Sequence, residues 1–120
     1  MLLVINGQQW EVLKVGAHHP GLYVENTARA GAAWPMDMKV YLSDELKGDS
    51  VLRTVIHEMG HAWLHSTQIS QQETWTEEEL CELLGIYSPE IVAASLEVHK
   101  QLYPEVKPRE YRIGHCEART

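Results

Sequence analysis

A chain of 120 residues fits one domain, because a second would leave neither half enough core to bury. Apolar residues make up 44%, which excludes a disordered chain; with no Phe, the four Trp, five Tyr and the aliphatic residues must fill the interior. The formal charge of −7, with acids concentrated between Glu73 and Glu90, argues against direct binding to nucleic acid or to an anionic membrane surface.

Cys81 and Cys116 are the only cysteines, with no C-x-x-C pair, and this usage fits a reduced, cytoplasmic protein better than a disulfide scaffold. The apolar start, Met1 to Ile5, stops at Asn6-Gly7, short of the apolar core of a signal peptide. No apolar run approaches the roughly 18 residues that a membrane helix needs. A soluble protein without an export signal of its own is the expectation.

In chain order, Asn6-Gly7 between two apolar stretches predicts a hairpin of strands 2–5 and 9–15, since both turn residues tolerate positive φ. A short strand is expected at 21–25. Residues 26–35, rich in Ala and Gly and without a clear period, read as a surface loop. Met36, Met38, Val40 and Leu42 alternate with polar residues and predict a strand over 36–42. Asp49 or Ser50 is placed to cap a helix over 51–66, on which Val51, Leu52, Val55, Ile56, Met59 and Trp63 recur at helical spacing. After a polar connection, Thr76 with Glu79 forms a capping-box pattern for a helix over 76–86, ended by Gly85. Pro89 opens a further helix over 88–103, stopped by Pro104. Strands first and helices second predict an α+β fold. A small, mostly antiparallel sheet packs on the helix 51–66, and two C-terminal helices follow. Residues 1–104 form the domain and 105–120 a polar tail.

Chemistry concentrates in His57-Glu58-Met59-Gly60-His61. Two histidines four residues apart share one helix face, where both imidazoles can bind one Zn²⁺ at ~2.0–2.1 Å. Glu58, next to His57, is placed to take a proton from a zinc-bound water and return it to a leaving amine. The bland alternative is a chance H-E-x-x-H on an amphipathic helix. Against it, the histidine face is distinct from the Val/Ile/Met stripe, and two histidines with a carboxylate are costly on a half-buried face without a ligand.

A catalytic zinc takes three protein ligands. Thr67 stands where a third histidine ten residues after His57 would be, and Leu64 where the chain would need a Gly to turn. The acids of the following helix remain. Glu77 lines up with Leu80 and Leu84 on the inward face and is the expected third ligand. Glu78, with Glu82 one turn on as its partner, and Glu79 are the alternatives. His65, a further turn along, suits either a substrate contact or a helix-end histidine favoured by the dipole. His18, His19, His99 and His115 show no metal spacing and read as surface residues, while Trp34 and Trp63 read as packing residues.

The segment from His57 to His65 resembles the H-E-x-G-H-x-x-L-H signature of ImmA/IrrE family metallo-endopeptidases. The strand 38–42 before it, and Glu77-x-x-Leu80-Cys81-x-Leu83-Leu84 after it, are also similar to that family, although Leu80-Cys81 replaces Ala-Asn. The resemblance covers about residues 21–85. It implies a zincin-like core with glutamate as third ligand, and a phage or mobile-element setting with a repressor protein as substrate. The expected activity is a zinc metallopeptidase that holds an extended protein or peptide along the strand 38–42. The donor for the oxyanion is open between His65, Tyr87 and a Tyr or Arg of the tail. The rival readings are a zinc-binding module that recognises a partner without cleaving it, a zinc hydrolase of a non-peptide amide, and an interaction domain with a coincidental motif.

Overall fold

The computed structural model describes residues 1–67 and 74–107. The Asn6-Gly7 turn forms as its chemistry demands: both residues take positive φ, 49° and 81°, and join β1 (Leu2–Ile5) to β2 (Gln8–Val15) in antiparallel register with Ile5 opposite Gln8. Along β2, Trp10 and Val12 point into the core. A 3₁₀ turn (Pro20–Leu22) leads to the two-stranded ribbon β3 (Tyr23–Val24) and β4 (Thr27–Ala28).

Residues 26–35, expected as a surface loop, also hold β5 (Gly31–Trp34), which pairs antiparallel with β6 (Lys39–Ser43). Gly-Ala-Ala has too little bulk to print an alternating pattern, so the strand left no periodic signal. The start of the expected strand 36–42 is instead a 3₁₀ turn, Pro35–Asp37. The four-stranded sheet runs β1-β2-β6-β5; β2 and β6 are parallel, so the sheet is mixed, while its other two pairings are antiparallel as expected. One consequence corrects the substrate expectation: β6 is paired on both sides, and no extended chain can add to it. The edge strands are β1 and β5, and β5 is the one that approaches Glu58 of the helix.

Helix α1 (Asp49–Ser66) covers one face of the sheet with Val51, Val55, Met59, Ala62 and Trp63, which meet Trp10, Val12, Val40 and Leu42 in a single core. Its cap is Gly48, in a positive-φ conformation, rather than the side chain of Asp49 or Ser50. Helix α2 (Glu77–Leu102) opens with the expected cap, the Thr76 hydroxyl accepting from the Glu79 N–H at 3.1 Å. It then runs unbroken where two helices were expected. Gly85 and Pro89 both face outward, so water can serve the Gly85 carbonyl that loses its N–H partner, and the Ser88 hydroxyl donates to the Leu84 carbonyl. The C-terminal half of α2 buries Ser95, Val98 and His99. His99 is therefore a core residue, contrary to the surface reading, because it shares the packed face with Val98.

Beyond the helix, the Tyr103 hydroxyl donates to the Ser43 carbonyl at 2.6 Å and ties the end of α2 to β6. No helix among the described residues is long and apolar enough to cross a membrane. Most of the connection between α1 and α2 and most of the expected tail, with His115 and Cys116, lie outside the described residues.

Candidate metal and catalytic site

Residues 57, 58 and 61 leave α1 on the side that faces β5. His57 and His61 are exposed, while Glu58 between them is 6% exposed. The Nε2 atoms of His57 and His61 stand 3.3 Å apart, with their rings edge to face. Two nitrogens bound at ~2.0–2.1 Å to one tetrahedral ion are themselves about 3.3 Å apart, so the separation of the pair matches that of two ligands on one Zn²⁺.

The carboxylate of Glu58 is held by the approach of β5. A Cβ at Gly31 would come within 2.9 Å of Glu58 Cγ and 3.0 Å of Thr54 Cγ2. Only a residue without a side chain lets this edge strand lie so close to the helix. Burial raises the proton affinity of Glu58 above the ordinary carboxylate range, and the nearby charges of His57 and Arg29 partly oppose it. Partial loss of water around the His61 ring, followed by the neighbouring His57, lowers the pKa of His61. This favours the neutral form of His61, the form that binds metal.

These groups line a cavity of about 370 Å³ together with Arg29, Ala32, Ala33 and His65. A second cavity, of about 310 Å³, lies beside it on the other side of Glu58 and is lined by Arg29, Gly31, Arg53 and Thr54. Arg29 and Gly31 border both. Sequence reading passed over both residues, since what brings them to Glu58 is the pairing of β5 with β6. His65 does enter the cavity, but eight residues of helix put it about 12 Å along the axis from His57, too far to share one ion.

Glu77 is not brought to the pair. It is exposed in the first turn of α2 and does not border the cavity, nor do Glu78, Glu79 or Glu82. Among the described residues no three His, Cys, Asp or Glu side chains gather closely enough to hold an ion. The two histidines thus fit zinc, and the third donor is not in place. Tyr87, one of the suggested oxyanion donors, lies on a different groove. Compared with known protein families, with curated proteins and with solved structures, the chain matches none.

Proposed function

We propose that this protein is a zinc metallopeptidase of the gluzincin kind, as its resemblance to the ImmA/IrrE family implies. The observation that carries the reading is one juxtaposition: two imidazole nitrogens 3.3 Å apart, beside a buried carboxylate, under an edge strand of a sheet. His57 and His61 hold the ion, and Glu77 of α2 is the proposed third ligand. The first turns of α2 bury no side chain, so moving them toward α1 breaks little packing. Zinc held there would supply Lewis acidity toward a water and toward the scissile carbonyl.

Glu58 would take a proton from the attacking water and pass it to the leaving amine, and its raised proton affinity suits both halves of this task. An extended peptide pairs with the outer edge of β5, which replaces β6 as the docking strand. Arg29, bordering the cavities on both sides of Glu58, is the proposed partner of the oxyanion. A cytoplasmic location and a repressor or other regulatory protein as substrate rest on the resemblance alone.

Metal analysis of the wild-type chain should give about one zinc, lost in His57→Ala. Glu58→Gln should keep the metal and lower hydrolysis of an unstructured protein by at least about 10²-fold. Retained hydrolysis in Glu58→Gln removes the proposed role of Glu58, and absence of zinc in wild type removes the reading. The position of Glu77 favours one alternative, a zinc-binding module that recognises a partner without cleaving it. That module keeps its zinc in Glu77→Ala and hydrolyses nothing.

A further inference from the structure

Helix α2 packs on the core from Tyr87 onward, and its first turns do not. All its buried side chains lie in the C-terminal half, and none from 77 to 94 is buried. Yet Leu80, Leu83 and Leu84 follow the i, i+3, i+4 spacing of a packing face. Leu80 is 48% exposed and Leu84 63%, so that face meets little of the molecule. Opposite it, α1 offers Trp63, Leu64 and Gly60, and a Cβ added at Gly60 would meet nothing within 4 Å. The two helices thus border an open, apolar groove of about 360 Å³. A contiguous apolar surface of this kind marks an interaction site, since a helix draws its stability from packing its apolar side.

Charge decides what can fill it. Residues 77–98 carry six carboxylates and no Lys, Arg or His. The Glu90 carboxylate, which accepts from the Nε1–H of the groove residue Trp63 at 3.1 Å, stands at the edge of the groove, and Glu77 lies one turn before Leu80 on the same side of the helix. A second copy would bring the same carboxylates face to face, in a chain whose net charge is already −7. A basic partner meets no such barrier. We propose that the groove between α1 and α2 docks an amphipathic helix of a partner protein, with apolar residues one turn apart in the groove and Lys or Arg along its flanks. None of the groove's lining residues borders the His57–His61 cavity.

The probe is a synthetic Leu/Lys helix of about 14 residues, roughly four turns, with a Leu/Glu peptide of the same pattern as its counterpart. Fluorescence anisotropy with the full chain should show binding of the basic peptide only. Leu80→Ser with Leu84→Ser changes two exposed positions without altering charge, and should weaken binding at least about tenfold. Glu90→Gln, which keeps an oxygen to accept from the Trp63 N–H, should weaken it and flatten its salt dependence. Equal affinity of the wild-type and Leu80→Ser/Leu84→Ser chains would reduce the binding to charge alone and overturn the proposal. Equal binding of the acidic peptide would do the same. So would nuclear Overhauser contacts, in the free chain, from Leu80 or Leu84 to a second copy or to residues 68–73 or 108–120, because the groove would already be filled.

Discussion

Gly31 is where a single methyl group does most damage to the site. Its added Cβ would stand 2.9 Å from Glu58 Cγ, closer than ordinary contact allows, so either β5 or the carboxylate must move. Gly31→Ala is expected to retain zinc, because His57 and His61 are untouched, while hydrolysis falls at least about tenfold through a displaced base. Metal content and turnover measured on one preparation separate the two effects, and unchanged turnover argues against a close fit of β5 on Glu58. Tyr103 is the corresponding residue for stability. Its hydroxyl is pushed up to about 12 by burial, then by Asp44 and Glu105, and it donates to the Ser43 carbonyl. The fold favours the protonated phenol, so this contribution is full below the ordinary tyrosine value near 10 and is lost as pH rises through about 12. Tyr103→Phe leaves that carbonyl with the longer bond from the Leu46 N–H, 3.4 Å. A loss of about 1–2 kcal/mol in urea unfolding is expected.

At the scale of elements, α2 carries the most visible conflict between local preference and tertiary outcome. Pro89 sits inside a helix of 26 residues, where it removes one backbone hydrogen bond. Pro89→Ala should restore the bond to Gly85 and stabilise the chain by about 1–3 kcal/mol, read as a raised urea midpoint with unchanged slope. A lowered midpoint would mean that a bend at this point is needed to seat Val98 and His99. β5 illustrates the opposite case, an element with almost no local signal. Ala32 and Ala33 are too small to alternate visibly, and the strand exists because β6 offers it an edge and α1 a surface.

Over the whole molecule, the two shifted groups of the site pull stability in opposite directions with pH. The fold holds Glu58 more basic than an ordinary glutamate, so its contribution is full in acid and is lost as pH rises through the raised value. It holds His61 less basic, so that contribution is full above the ordinary histidine range and is lost as pH falls through the lowered value. In metal-free protein, Glu58→Gln should therefore raise the melting temperature at neutral pH, where wild type must keep a buried charge. The gain should vanish below about pH 4, where an ordinary glutamate is protonated. A melting temperature at neutral pH equal to or below that of wild type would show that the carboxylate is well solvated.

How much was legible in the sequence follows from which interactions are local. The Asn6-Gly7 turn, the α1 stripe and the cap of α2 at Thr76 depend on residues within a few positions of one another, and all three form where they were expected. The pairing of His57 with His61 is of the same kind, because one turn of helix fixes their separation. The placements of Arg29, Gly31 and β5 beside Glu58, and of His99 in the core, are set by chain segments far apart in sequence. So are the parallel pairing of β2 with β6 and the distance of Glu77 from the histidines. The sequence by itself determined the α+β class and the His57-Glu58-His61 face, since helical and turn geometry needs no distant partner. Only the tertiary structure decided which strands form the sheet edges, what surrounds the carboxylate and where α2 leaves its leucines uncovered, because each of these depends on long-range packing.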